Sequence, residues 1–356
     1  MRSQVISNIA IHYPDKVAMC FNPCICQAVS TGTATPAYTE TECDGHKMRI
    51  IAYHGKAVWD MRELLQLAVR NNVRAGGMIN WNVSYTIKVY GAQDTLLATL
   101  TATSFIVWGA LRHGETYNAG RRMAYFPGWP FDFGLYLDGH SGKLLVKNDG
   151  RPDGLINITP SEGLYKFQLP ATAAPAKERY EIYDFQGTLT QLTFDNSFDL
   201  TFRYRFNGTM TKVLDIDVMQ SNFEHPVYLR WIDRHGFTVY WLFKQGDEKR
   251  EVKAIAEFMR DNMREVGSGS SVGEPFDRRL NYQRQDTLTL CSPLVDRAQF
   301  DLLQDLTSSP SVDRYNKATG EWEAVTVKDG TYTKTPETLQ DFVVYVTLAE
   351  MQTQSL

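Results

Sequence analysis

Hydrophobic and polar positions alternate with a period of two along most of this chain, and only three windows break into a period near 3.6. In the first third the alternating windows are "VAMCFNPCICQAV", "KMRIIAYHG", "NWNVSYTIKVYG", "DTLLATLTATSFIVWGA" and "PFDFGLYLDG", punctuated by Gly, Asp and Asn. Such windows predict strands with one buried face. One helix interrupts them: Met61, Leu64, Leu65, Ala68 and Val69 form a single stripe. Asp60 is placed to cap this helix, Glu63 to close a capping box, and Trp59 to staple onto Leu64. The expected N-terminal domain is a β-sandwich, residues 1–150, with this helix covering an open side or end.

The pattern weakens over 151–178, where "NDGRPDG" and "LPATAAPAKE" read as turns and a connector. Residues 179–356 then resume with short strands: "RYEIYDFQ", "TLTQLTFD", "FDLTFRYRFNG", "KVLDIDVMQ" and "VYLRWIDRHGFTVYWLF". "EVKAIAEFMRDNM" has helical spacing at Ile255, Phe258 and Met259, with β alternation possible through Val252 and Ala254; the Gly/Ser-rich 266–275 that follows predicts a loop or arm. A second helix is better specified in "VDRAQFDLLQDLTSS". Asp296 caps it, Gln299 completes the box, and Phe300, Leu303 and Leu306 share a face. Asn316 to Gly320 then predicts a hairpin loop, with "GTYTKT" and "DFVVYVTLA" as closing strands. The fold class is therefore mainly β with a few helices. No repeat of 20 to 50 residues is present, so a solenoid or propeller is unsupported.

Composition adds little bias. With 43% hydrophobic and 22% charged residues and a net charge of −4, the 356 residues suit two ordinary domains and give no phosphate-binding excess, so nucleic-acid sequence recognition is not expected. No apolar run is long enough to insert in a membrane, and the first thirty residues lack a signal core, which predicts synthesis in the cytoplasm. Of five cysteines, Cys24 and Cys26 alternate as strand residues do, and small buried hydrophobes explain them better than a metal site. Asn82, Asn157 and Asn207 head glycosylation-like triplets that have no meaning in a cytoplasmic chain.

Candidate chemistry is sparse. Asp233 and His235 sit in a tight Asp-Arg-His-Gly turn and could form an acid/base pair, but turn geometry alone accounts for both. Asp215 and Asp217 share a strand face, and Asp195, Asp199 and Glu224 lie nearby in sequence, which would permit a glycosidase-like carboxylate pair. The aromatics of "YFPGWPFDFGLY", 125–136, could stack on sugar rings or fill a core. Phosphate-loop, zinc-protease, nucleophile-elbow and calcium-loop motifs are absent from the sequence. No catalytic, metal or cofactor-binding residue is assigned, and no cofactor is expected.

"HGKAVWDMRELLQL", "FIVWGALRHGETYNAGRRMAYFPGWPFDFGLYL" and "VYLRWIDRHGFTVYWLF" resemble, in that order, segments of a tail-structural protein family from phages and prophages of Bacteroides-type gut bacteria. The end of the chain, from "LTLCSPLVDRAQFDLLQDL" onward, is similar to phage distal-tail and baseplate proteins. The likeness covers most of the chain and is weakest from 140 to 200; the cysteines of "FNPCICQAV" depart from it. It implies an N-terminal β-sandwich-like domain and a C-terminal tail-tube/distal-tail-like β-barrel domain, in a non-enzymatic virion component of a tail, baseplate or tail-end ring assembled in the host cytoplasm. The implied partners are identical subunits in a ring of hexameric or other cyclic symmetry, and other tail proteins. Ring formation requires surfaces that meet sister copies. Tyr315, Trp322 and Tyr332 are the candidate subunit-contact residues, with "YNKATGEW" and the Gly/Ser-rich arm as elements that reach outward. The alternative is a carbohydrate-binding or glycoside-cleaving β-sandwich protein.

Overall fold

A computed structural model describes residues 1–74, 80–111, 121–136, 143–157, 164–167, 178–191, 204–220, 222–260, 276–328, 330 and 332–348. The chain is mainly β and divides into two units, Met1–Met219 with Ile232–Val239, and Gln220–Trp231 with Tyr240–Leu356. The division falls at Met219, beyond the expected boundary, because the stretch expected to be a connector is partly strand.

The first unit opens with β1 (Arg2–Ile6), β2 (Ile9–Tyr13), β3 (Val17–Met19), β4 (Ile25–Ser30), β5 (Tyr38–Cys43), β6 (His46–Ile51), β7 (Lys56–Asp60), α1 (Arg62–Arg74), β8 (Trp81–Tyr90) and β9 (Leu96–Val107). They form two sheets, ordered β1-β2-β4-β7 and β3-β9-β8-β5-β6. One core unites them: Ile9, Ile11, Cys26, Ala28 and Trp59 from the first pack with Val83, Tyr85, Ile87 and Leu100 from the second. This is the sandwich-like arrangement that the period-two windows predict, with Ile25 exposed between buried Cys24 and Cys26. The first window is broken in two, β3 and β4, where Asn22 and Pro23 interrupt it.

The helical stripe holds: Met61, Leu64, Leu65, Ala68 and Val69 are all buried. Asp60 caps α1 by accepting from Arg62 N at 2.9 Å, but its carboxylate also accepts from Cys24 N at 3.0 Å while Glu63 stands exposed. The cap thus fastens the helix to the residue just before β4 rather than closing a box.

A third sheet runs β10-β16-β15-β12-β13, from β10 (Arg121–Tyr125), β12 (Lys143–Asn148), β13 (Arg151–Asn157), β15 (Arg179–Gln191) and β16 (Tyr204–Val218); β11 (Phe133–Tyr136) pairs β14 (Leu164–Phe167). Residues 151–178, expected to connect domains, instead supply β13 and β14. Asp149 and Gly150, both at positive φ, turn the chain so that β13 returns along β12.

The second unit contains a closed barrel, β17-β18-β19-β22-β21-β20, from β17 (Pro226–Ile232), β18 (Thr238–Arg260), β19 (Phe276–Asp296), β20 (Val312–Asn316), β21 (Glu321–Val327) and β22 (Leu339–Thr347). Closure leaves no sheet edge around the barrel itself, while the outer parts of β18 and β19 extend past it as a pair. Leu229, Trp231, Trp241, Phe243, Leu290, Phe342 and Val344 are buried, and Trp241 Nε1 donates to Ser292 Oγ at 2.8 Å. Helix α2 (Arg297–Asp305) carries the full capping box: Gln299 N donates to the Asp296 carboxylate at 2.8 Å and Asp296 N to Gln299 Oε1 at 3.0 Å. Phe300 meets Phe342 edge-on at 5.3 Å.

Two expectations fail here. "EVKAIAEFMR" is strand, the outer part of β18, paired with β19 through two register shifts around Ala256 as far as Arg260↔Phe276. Three apolar residues at helical spacing do not outweigh a continuous partner strand. "GTYTKT" is not a strand over its described residues. The Gly/Ser-rich 266–275, Asp195 and Asp199 lie outside the described residues.

Candidate functional site

Three places carry the residues that the sequence singles out. The first is the Asp-Arg-His-Gly turn, which belongs to the first unit. Asp233 is buried, and its carboxylate accepts from His235 N at 3.0 Å, Phe237 N at 2.9 Å and His235 Nδ1 at 3.1 Å. Burial alone would raise its pKa. The His235 hydrogen bond and the positive charge of Arg121 outweigh that, so the carboxyl lies below the usual carboxylate range. Arg121 is buried with its guanidinium 3.8 Å from the Phe237 ring centroid and donates to Gly134 O at 2.7 Å.

Around the turn the backbone is fitted closely. Asn80 Nδ2 donates to Gly236 O at 2.9 Å while Asn80 Oδ1 accepts from Trp108 N at 2.8 Å. Ala110 N donates to Arg234 O at 2.7 Å, and a Cβ on Gly109 would stand 2.4 Å from that oxygen. Gly236, at φ +80°, supplies the left-handed position. Carboxylate, imidazole, carboxamide and two glycines converge to fix a turn. Asn80, Gly109 and Arg121 escape sequence reasoning because each lies more than a hundred residues from the turn and belongs to no local pattern.

The second place is the set of strand acids. Asp217 pairs with Arg122 and with Arg179 at 3.5 Å, and Asp215 with Lys212 at 3.1 Å. They share a face as expected, and each carboxylate is matched by a cation. The nearby aromatics are drawn into packing: Phe126 and Phe133 are buried, and Tyr125 meets Phe131 at 5.1 Å.

The third place is the barrel hairpin. Trp322 is half-buried among Tyr315 at 5.1 Å, Tyr228 at 5.8 Å and Tyr240 at 5.9 Å, with the Arg230 guanidinium 4.3 Å from its centroid. Arg230 is held in turn by Asp313 at 2.8 Å. Tyr315 and Trp322 face each other in register across β20 and β21, so they form one patch. Tyr332 lies elsewhere, stacked on Phe342 at 5.6 Å. The structure thus brings two of the three candidate contact residues together. Replacing Trp322 with Ala is expected to lower stability by ~2–4 kcal/mol in urea unfolding, because an aromatic cluster and a cation–π contact go with it. Trp322→Phe should keep most of that stability, and loss of assembly in Trp322→Phe would then report a contact with another copy.

Buried cysteines make poor nucleophiles here. Burial pushes the thiols of Cys20 and Cys43 up to about 12, so both stay protonated near neutral pH. Among the described residues no three His, Cys, Asp or Glu side chains gather as metal ligands, and no helix is long and apolar enough to cross a membrane.

No family model matches the chain. Over 76 residues, 21% of this chain, it is 32% identical to the probable polyketide synthases 25 and 24 of Dictyostelium discoideum. The match spans about 3% of the length of those relatives. Among solved structures, the fibronectin(III)-like modules of Clostridium thermocellum CbhA align over 61% of this chain and 99% of theirs, at 8% identity and a TM-score of 0.20. Neither likeness reaches the level that would place the chain in a family.

Proposed function

We propose that the chain is a structural subunit of a phage tail, baseplate or tail-end ring, which acts by assembling with identical copies and docking neighbouring tail proteins. The observation that carries this reading is the two-stranded ribbon that leaves the barrel. β19 pairs with β22 only between Thr287 and Asp296, yet it stays paired with β18 out to Arg260↔Phe276. Beyond the barrel, Glu248–Arg260 therefore has one strand neighbour among the described residues. At a rise of about 3.3 Å per residue the ribbon reaches ~40 Å. Every side chain from Asp247 to Lys253 is exposed.

A lone two-stranded ribbon is marginal in water. This one is anchored at its base, where Arg284 and Arg250 both fork onto Asp286, with Arg250 Nε at 2.9 Å and Arg284 Nη2 at 2.5 Å. Led by Arg284, the pair holds the Asp286 carboxyl down to about 2. A neighbouring copy that covers the outer ribbon would supply the burial that its own chain does not. Repeated around an axis, such contacts close a ring. The resemblance of the middle and terminal segments to tail-structural proteins supports the same reading, and it implies location in the virion and no catalytic role.

The test is truncation. Replacing 253–283 by Asn-Gly between Val252 and Arg284 keeps the barrel and the Arg284–Asp286 anchor and shortens the ribbon. The unaltered chain is expected to form closed oligomers by light scattering, seen as rings in electron micrographs, and the truncated chain to be a monomer with its thermal midpoint changed by only a few degrees. A monomeric full-length chain, or rings from the truncated one, would overturn the proposal.

A further inference from the structure

β5 pairs with β8 from Tyr38↔Tyr90 to Cys43↔Tyr85 and then turns away through Asp44 and Gly45, both at positive φ, into β6. β8 begins four residues before that last pair, at Trp81. Over Trp81–Ser84 its one described neighbour is β9, from Trp81↔Ile106 to Ser84↔Thr103. On the other side, among the described residues, no strand continues where β5 leaves. An antiparallel strand directs backbone N–H and C=O groups to both sides in turn, so this short edge offers a row of unpaired groups.

The row lies in a slot. The last turns of α1, through Ala68, Asn71 and Asn72, flank it and line, with the strand edge and the Asp44 turn, a pocket of about 470 Å³ that is open to solvent. That volume falls within the range of ligand sites, ~300–1,000 Å³. Ala68 and Val83 are buried and apolar, whereas Trp81 is 42% exposed on the same strand face as Val83. Asp44 is the charged residue among those that line the cavity. Its Oδ2 accepts from Asn71 Nδ2 at 3.1 Å, which leaves Oδ1 to meet a cation.

We propose that this slot binds an extended peptide segment that adds to β8 as a strand, taking up the row that β5 vacates, with a Lys or Arg at its leading end. The added strand runs antiparallel to β8, hence in the direction of β5, so its first residue lies beside Asp44 and its last beside Trp81. Alternate side chains then point toward Ala68, Val83 and the indole, and Asn71, whose Nδ2 is held by Asp44 Oδ2 at 3.1 Å and His46 Nε2 at 3.3 Å, keeps its Oδ1 for a main-chain N–H. Strand addition of this kind draws affinity from main-chain hydrogen bonds and specificity from alternate side-chain pockets. A saccharide would find the same indole and carboxamides. The regular spacing of the edge groups, a repeat of roughly 6.8 Å for every second residue, matches another strand and not the hydroxyls of a ring. The acidic end disfavours an anionic ligand.

The probe is a pool of acetylated pentapeptides Lys-X-Thr-X-Thr-amide, with X Val, Ile, Leu or Phe, added to the full chain labelled for NMR. Hydrogen exchange at the backbone amides of 81–84 that face the slot is expected to slow at least tenfold, with chemical-shift changes confined to β8, α1 and the Asp44 turn. N-methylation of alternate peptide bonds is expected to weaken binding at least tenfold. Asp44→Asn should bring Lys and norleucine at the first position within twofold of each other while strand protection persists. Trp81→Ala, at a half-exposed site, should fold and bind more weakly. Absence of protection, equal binding by the N-methylated pool, or shifts at these amides produced by methyl glycosides instead of peptides would each overturn the proposal.

Discussion

Asp233→Ala is expected to cost ~3–5 kcal/mol of folding stability, the range for removing one partner of a buried ion pair. The substitution strips acceptors from the His235 and Phe237 amides and from the His235 ring, and leaves the buried Arg121 without the carboxylate that faces it. Each orphaned buried donor carries its own desolvation penalty. Asp233→Asn should fall between the two, since a carboxamide oxygen can still accept from the amides but carries no charge for Arg121. Acid separates charge from shape. The folded-state pKa of Asp233 is depressed, so its stabilisation is fully present above the unfolded value of about 3.9 and is lost as pH falls through the lower folded value. The stability gap between the unaltered chain and Asp233→Asn, measured by urea unfolding, should therefore narrow as pH falls below about 4. A gap that fails to narrow there would mean that His235 and Arg121 do not hold the carboxyl below its ordinary range.

That turn shows what the sequence alone conveys and what it withholds. Gly236 announces a positive φ and Asp233 an acceptor for turn amides, because both are demands of the local backbone. The partners that make the turn rigid come from β10 and from the residues flanking β8 and β9, and no spacing rule links Asn80 or Arg121 to a turn at 233. Local chemistry was equally legible at α2, where Asp296 and Gln299 satisfy one another within a single turn. Alternation was legible at Cys24, Ile25 and Cys26. Helical spacing misled at 252–260, where alternation through Val252 and Ala254 was the better guide and the outer β18 owes its conformation to its pairing with residues 276–284. Alternation failed at 151–157, since a Pro- and Gly-containing stretch reads as linker until Asp149 and Gly150 are seen to fold it back on β12. The acids Asp215 and Asp217 were visible as a same-face pair, but the cations that match Asp217, Arg122 and Arg179, stand on other strands, and together with Lys212 beside Asp215 they decide whether the pair is reactive or matched.

Gly236→Ala is expected to destabilise the first unit by ~2–4 kcal/mol, from two separable causes. At φ +80° an L side chain is strained by ~1–2 kcal/mol. The added Cβ would also stand 2.3 Å from Val107 Cγ1, an approach that real structures do not contain. Val107 is fully buried with Met19, Phe105 and Phe237, and its branched side chain has few alternative rotamers, so overpacking adds ~1–3 kcal/mol. Val107→Ala removes the clashing methyl and should itself cost ~1–3 kcal/mol as a cavity. In the double variant the methyl added at position 236 projects into that cavity, so the clash disappears and only the backbone strain remains. The double variant should therefore be more stable than the sum of the singles by at least ~1 kcal/mol in a double-mutant cycle, since residues in contact do not add. Additivity within ~0.5 kcal/mol would show that the turn shifts away from Val107 when a side chain is added, and that the close fit of Gly236 against β9 is not what fixes the turn.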